Sequence, residues 1–460
     1  MRRIFLFTSF CLLSSLILAQ DVKVDFNDGE FFLAEEDYEE ALYAFGKVYN
    51  EGYQDNAYIN YRMGLCLINI SGRKTESIPY FEKAEQSIST NVKEGKFDET
   101  DAPPDALLYL GDAYRINMEI NKAIEKYNAF AKYINRKNVS LQAYVDQQIV
   151  SCGNALVGTA SPVEISIGNL GQLQEANSSR YNMQVSGDLQ TLAFMGENKF
   201  YNGIYVAVKN GEVWGKPMNI TPSIASDGNM DVLALSYDGK MMLLAVTDQS
   251  ASNIYLSVYE DGRWIPAVSV DKPINSKYYE AYACFSPYGK SIYFSSNRKE
   301  SMGGMDIFRS DQQENGAWGE PENLGPGINT ILNEEAPYMS PDGKRLYFSS
   351  QGHSTMGGFD VFYSEVLADG SFHSVPVNLG YPLNTSDDDY TYSPEGISEE
   401  SYSFIFSHGL IPEYDLLKFE MIGRDQTPVP LALEEAEEEV VEEVVAEETP
   451  EPEPEPEPMP

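Results

Sequence analysis

Apolar positions recur along this chain with three rhythms, and the rhythms divide it. From Asp21 to about Gly158 the period is that of helices. Past a short junction at 159–162 it becomes two, as in Leu346 and Phe348 or Ile292 and Phe294, the alternation of strands with one buried face. From about Gly423 the sequence turns glutamate-rich with interspersed valines, and from Pro450 proline stands at every second position. Proline continues neither a helix nor a sheet ladder, so residues 423–460 are expected to be a disordered, extended spacer of about 3.1 Å per residue.

Within the strand region one turn phrase recurs: Ser186-Gly187-Asp188, Ser236-Tyr237-Asp238-Gly239, Ser286-Pro287-Tyr288-Gly289, Ser340-Pro341-Asp342-Gly343 and Ser393-Pro394-Glu395-Gly396. Successive serines lie 50, 50, 54 and 53 residues apart. Each phrase leads into a strand, then a second one such as Asp306-Ile307-Phe308 or Asp360-Val361-Phe362. A turn with glycine and an aromatic follows (Gly211 and Trp214, Gly262 and Trp264, Gly316 and Trp318, Gly370 and Phe372), then a short strand as in Asn323-Leu324-Gly325. Four strands per period make one blade of a β-propeller. The last repeat lacks the Asn-Leu-Gly phrase, whereas Asn169-Leu170-Gly171 precedes the first, with Leu170 sixteen residues before Ser186 as Leu324 is before Ser340. The sequence thus predicts a five-bladed propeller over 163–422, six blades being the alternative, closed by pairing the strand 164–170 with the C-terminal strands so that no sheet edge is left open.

The helical part repeats as well. Gly29, Phe32, Ala41 and Phe45 occupy positions 8, 11, 20 and 24 of a 34-residue helix-turn-helix unit. Gly111, Tyr114, Ala123 and Tyr127 repeat them, and Gly64, Leu67, Phe81 and Ala84 carry a middle unit with one residue inserted. This is the tetratricopeptide pattern, in which small residues let paired helices approach and aromatics fill the space between pairs. Residues 20–158 are therefore expected to form a three-repeat stack capped by a helix over 141–157. Such a stack offers a concave surface for a peptide or protein. The predicted fold class is multidomain, α followed by all-β.

Composition adds an address. Residues 1–19 have a basic start at Arg2 and Arg3, an apolar run to Leu18 and a small residue, Ala19, before Gln20, the form of a secretory signal. Without the leader no stretch approaches the roughly 20 apolar residues that span a bilayer, so the expectation is an exported protein with no transmembrane span. Three cysteines remain, Cys66, Cys152 and Cys284. They read as small buried side chains, a Cys66–Cys152 pair being the alternative. The formal charge is −39; losing Arg2 and Arg3 makes it −41, and setting aside the thirteen glutamates of 434–457 leaves −28 for the body. That field excludes nucleic acid and anionic lipid as partners and favours basic partners or divalent cations.

Catalytic chemistry is not indicated. His353, His373 and His408 fall in different repeats without metal-ligand spacing, and no nucleophile elbow, phosphate loop or HExxH phrase occurs. No cofactor and no metal are expected. Met302-Gly303-Gly304 and Met356-Gly357-Gly358 read as tight turns between strands rather than nucleotide cradles. One constellation stands out: Asp231, Glu335 and Asp388 lie five residues before the repeat serine and Glu280 six before, with Tyr181 breaking the series. At equivalent radius these acids would ring one mouth of the central channel, a site for a cationic ligand; the favoured reading is that each accepts local backbone hydrogen bonds. Asp387-Asp388-Asp389 lacks the spacing of an EF-hand and reads as a solvated loop.

Tyr347-Phe348-Ser349-Ser350 with Met356-Gly357-Gly358-Phe359-Asp360-Val361-Phe362, and Tyr293 to Ser296 with Met302 to Phe308, resemble the TolB-like propeller repeats of Bacteroidetes envelope proteins. Signal, tetratricopeptide repeats and propeller in this order resemble the OmpA family of those bacteria, which includes peripheral components of type IX secretion and gliding. The resemblance implies a non-enzymatic periplasmic scaffold, associated with the outer membrane and bound to envelope proteins there. Peptide or glycan binding or hydrolysis at the channel mouth is the alternative, and a holdase a third. Family members commonly continue into a peptidoglycan-binding OmpA-like domain; the acidic tail stands in its place, so cell-wall anchoring does not carry over.

Overall fold

The structure is a computed structural model that describes residues 22–169, 180–198, 201–211, 213–247, 251–395, 402–407 and 417–421. The leader, the acidic tail, His408 and parts of the first outer-strand phrase and last turn phrase lie outside the described residues.

Seven α-helices, with a π-helical turn at Tyr49–Tyr53 and a 3-10 turn at Lys74–Ser77, form the described N-terminal region: α1 (22–34), α2 (Tyr38–Val48), α3 (Ala57–Ile68), α4 (Ile78–Ala84), α5 (Asp105–Ile116), α6 (Ile120–Ala131) and α7 (Val139–Ala160). Asp37, Asn56 and Asn138 cap α2, α3 and α7 by accepting the amides of Glu40, Ile59 and Leu141. The first six helices form three hairpins around one glycine–aromatic contact each. A Cβ at Gly29 would meet the Phe45 ring at 2.8 Å, one at Gly64 the Phe81 ring at 2.7 Å, and one at Gly111 the Tyr127 ring at 2.6 Å. The rings fill the space that a side chain on the facing helix would need. Ser77, fully buried, stands where Ala41 and Ala123 stand in the other hairpins; the inserted residue hides that equivalence in the sequence. Between α4 and α5 a strap, residues 85–104, returns over the first two hairpins. Phe97 packs edge-on against Phe26 (5.5 Å between ring centres) and against Tyr53, and the Gly95 amide donates to the Tyr58 hydroxyl (2.7 Å).

The strands that follow gather into antiparallel sheets arranged as a β-propeller. Four succeed one another along the chain: Arg180–Val185 with Thr191–Glu197 and Asn202–Asn210; Met230–Leu235 with Met241–Thr247 and Ser252–Glu260; Glu280–Phe285 with Ser291–Ser296 and Asp306–Asp311; and Glu334–Met339 with Arg345–Ser350 and Asp360–Glu365, each with short outer strands. A further sheet joins the ends of the region, with Ile165–Asn169 pairing antiparallel with Leu417–Met421, beside Tyr402–Ser407 and Asp389–Glu395.

The repeat serine has a physical role. In the first four repeats its hydroxyl accepts the amide that opens the next strand: Thr191, Met241, Ser291 and Arg345, all at 2.9 Å. The glycine of the phrase takes a left-handed backbone at Gly239, Gly289 and Gly343. The Met-Gly-Gly phrases do otherwise, since none of Gly303, Gly304, Gly357 and Gly358 has positive φ. A Cβ on Gly303 or Gly304 would collide with the Leu332 carbonyl or Asn333, and one on Gly357 or Gly358 with the Asp387 carbonyl or Asp388. These glycines admit the loop of the next blade, so the tight-turn reading is corrected to close inter-blade approach.

Candidate site at the channel mouth

The first strand of each sheet carries a β-bulge near its start, between Ala281 and Ala283, Glu335 and Tyr338, or Tyr390 and Tyr392 for example. A bulge re-aims the side chains beside it. Tyr282, in the left-handed region at φ 44°, stacks on Tyr390 of the last sheet, beyond the intervening one, with ring centres 6.5 Å apart. Asp231 and Glu335 act on Tyr282 by their charge, and Asp388 and Glu335 on Tyr390. Three of the four acids singled out in the sequence therefore lie within electrostatic reach of one stacked pair. Burial, followed by the negative charge of Asp388, pushes the Glu335 carboxyl up to about 7, and burial raises that of Asp231.

Glu280 is not among them. It is fully buried, accepting from the Ser276 amide (2.9 Å) and hydroxyl (2.6 Å) and pairing with Arg298 (3.1 Å). Strand register explains the difference: Glu280 faces Ser296 as Glu334 faces Ser350 and Asp389 faces Ser407, whereas Glu335 faces Ser349, one step on. Its equivalents behave alike. Glu334 accepts from the Thr330 amide (2.7 Å) and hydroxyl (2.8 Å), and Asp389 from the Thr385 amide (2.5 Å). At Glu280 the local hydrogen-bonding reading holds and the channel position does not.

Sequence reasoning missed the phrase behind these contacts. Asn275-Ser276, Asn329-Thr330 and Asn384-Thr385 each end four residues ahead of the buried acid. Each asparagine clasps one residue of the blade's third strand through both its amide and its carbonyl: Ile254 (both 2.8 Å), Ile307 (2.8 and 3.0 Å) and Val361 (2.8 and 2.9 Å). The spacing Asn-Ser/Thr-x-x-x-acid was the available signal.

The helical region closes over this mouth. Along α7, Gln147, Ser151, Asn154 and Gly158 form one stripe, and all four meet the loop 353–356. Gln147 donates to the His353 carbonyl (2.6 Å), the Ser151 and Thr355 hydroxyls bond at 2.5 Å, Asn154 donates to the Thr355 carbonyl (2.7 Å), and Gly158 leaves room for Met356. From α5, Arg115 donates to the Ser386 carbonyl, and Lys74 pairs with Asp387 at 2.6 Å. Asp387 and Asp389 are thus buried, which corrects the solvated-loop reading. Met356 is 3% exposed, while its counterpart Met302 in the preceding blade, which α7 does not reach, is 46% exposed.

Beneath this seam lies a cavity of about 360 Å³, walled by Tyr109, Asp112, Arg115 and Tyr144 on the helical side and by Phe359, Asp388 and Tyr390 on the propeller side. Burial raises the Asp112 carboxyl despite Arg115 and the Tyr127 hydroxyl beside it. His353 donates its Nε2–H to the Ile328 carbonyl (2.9 Å), and burial lowers its pKa. Cys66, Cys152 and Cys284 are buried and free, each thiol pushed up by burial. Among the described residues no cluster of ligating side chains could hold a metal ion, and no helix is long and apolar enough to cross a membrane.

No protein-family model and no curated protein matches this chain. Among solved structures, TolB from Acinetobacter baumannii is 16% identical over 54% of this chain and 55% of its own, with a TM-score of 0.34. The match thus spans about half of that protein. An α-L-arabinofuranosidase from Lactobacillus brevis is 12% identical over 52% of this chain and 90% of its own (TM-score 0.35). The PQQ-bound aldose sugar dehydrogenase from Streptomyces coelicolor is 13% identical over 56% and 99% (TM-score 0.32). Likenesses this distant carry no argument about function.

Proposed function

We propose that this chain is a non-catalytic scaffold of the bacterial envelope, in which a tetratricopeptide stack and a closed five-bladed propeller present two binding surfaces in fixed relation. The observation that carries this reading is the seam. Thr355 is fully buried there and bonded to three residues of α7, and Arg115 and Lys74 tie a second propeller loop. A flexible tether would suffice for two independent modules, whereas buried hydrogen-bonded contacts fix their mutual geometry. Ring closure is supported by the pairing of Ile165–Asn169 with Leu417–Met421, and the tetratricopeptide reading by the three glycine–aromatic contacts. The strap over the first two hairpins directs partner binding to the remaining helical faces. The leader pattern and the TolB-like phrases support an exported, periplasmic protein serving an outer-membrane complex, of which type IX secretion and gliding machinery is the type the resemblance suggests.

The test is a mild-detergent pull-down of the tagged full-length protein from its native envelope, read by mass spectrometry. A stoichiometric envelope partner is expected, and no single change of Asp231, Glu335 or Asp388 to its amide should abolish its capture, even where it weakens one contact. Peptide or glycan turnover lost on one such change in a folded protein, with no stable partner, would refute the scaffold.

A further inference from the structure

The channel-mouth cavity is unevenly provided. Its cations are engaged: Lys74 on Asp387 (2.6 Å), and Arg115 on the Tyr127 hydroxyl (3.1 Å) and the Ser386 carbonyl, with Asp112 at 3.7 Å. Of its acids, Asp112 is engaged as well, accepting from the Tyr127 hydroxyl (2.8 Å), whereas Asp388 is less so. Asp388 takes the Phe359 amide on one oxygen (2.9 Å) and forms no ion pair among the described residues, the Arg115 charge acting on it only from a longer distance. Tyr109, Tyr144 and Tyr390 line the same space, and none of their hydroxyls has a hydrogen-bond partner among the described residues. Glu335 and Asp231 stand further along the channel, likewise without a cation among the described residues.

A recessed space with anionic and aromatic capacity selects its occupant by charge. Tyrosine faces attract a cation through the ring quadrupole. A carboxylate in a partly desolvated wall holds one more strongly than the same group in water. The body's charge of about −28 draws cations to the mouth.

We propose that this cavity receives an alkylammonium group, the side chain of a lysine presented by a partner polypeptide, with Asp388 as its counter-ion and Tyr144 and Tyr390 against its stem. The scaffold reading enters only in assigning the lysine to a partner. Loss of the co-purifying partner with probe binding retained would therefore count against the scaffold alone.

The experiment titrates the full-length mature protein with N-acetyl-lysine methylamide, its norleucine and glutamate counterparts, and cadaverine, followed by saturation-transfer NMR. The lysine amide is expected to bind, and to bind less as salt is raised, while the norleucine and glutamate amides do not. Asp388→Asn, whose amide oxygen still accepts from Phe359, should weaken it about tenfold, and Glu335→Gln by a smaller factor, with melting temperatures close to that of the parent. Asp238→Asn, on an exposed turn, should change nothing. Should Asp388→Asn fail to fold, Glu335→Gln and the salt dependence decide. Equal binding of the norleucine or glutamate amide, no binding of the lysine amide, or indifference to both acidic substitutions would overturn the proposal. Tighter binding of cadaverine than of the lysine amide would overturn the assignment to a partner's side chain in favour of a free diamine.

Discussion

Gly111 stands so close to the Tyr127 ring that the hairpin α5–α6 has room for hydrogen alone. A methyl there would meet a ring that is itself fully buried, so overpacking outweighs the gain in helix propensity. Gly111→Ala should lower stability by roughly 1–3 kcal/mol. Gly153 is the internal control: it lies on α7, and a Cβ added there would meet nothing within 4 Å, so Gly153→Ala should raise stability by about 0.5–1 kcal/mol. Urea midpoints read both, and a stabilising Gly111→Ala would contradict the close-packing account. Glu335 supplies a pH test. Its carboxyl goes from 4.5 to about 7 on burial, so the folded state binds this proton more tightly than the unfolded state does. Its contribution is fully present below about 4.5 and is lost as pH rises through about 7. Glu335→Gln, which mimics the protonated form, should match the parent near pH 4.5 and exceed it in stability near pH 8. A difference that does not change with pH would contradict the burial of this carboxyl.

Elements that repeat were largely legible, because a period records the contact each copy must make. The glycine–aromatic hairpins, the serine turns and the partner of the strand Ile165–Asn169 all follow from offsets in the sequence. The acids were legible only in part. Counting back from the repeat serine put Glu280 beside Asp231 and Glu335, but strand register, not distance from the serine, fixes which face a residue takes. The asparagine clasp went unseen, its polar residues passing for ordinary loop composition. It yields a prediction at this scale. Asn329→Ala would leave the amide and carbonyl of Ile307 without this partner in the interior, costing about 1–3 kcal/mol. Asn315→Ala, on an exposed turn with one local hydrogen bond, should cost far less. Equal, small losses in thermal unfolding would show that the clasp is dispensable.

At the scale of the whole molecule, the seam was not legible at all. Gln147, Ser151 and Asn154 occur once, and Thr355 and Met356 belong to a phrase whose other copy is open, so no period marks them. The function proposed rests on what these residues do together: they make stack and propeller one body. Removing the hydroxyl of Thr355 by Thr355→Val strips Ser151 and Gln147 of a buried partner, and should uncouple the two regions before it unfolds either. The chain carries its own reporters for the decisive measurement. All three tryptophans, Trp214, Trp264 and Trp318, lie in the propeller, while far-ultraviolet circular dichroism is dominated by the helices. Urea unfolding of the full-length protein followed by both signals should give coincident transitions, separating in Thr355→Val. Separate transitions in the parent protein would mean two modules on a hinge, and would contradict a scaffold that holds its surfaces in fixed relation.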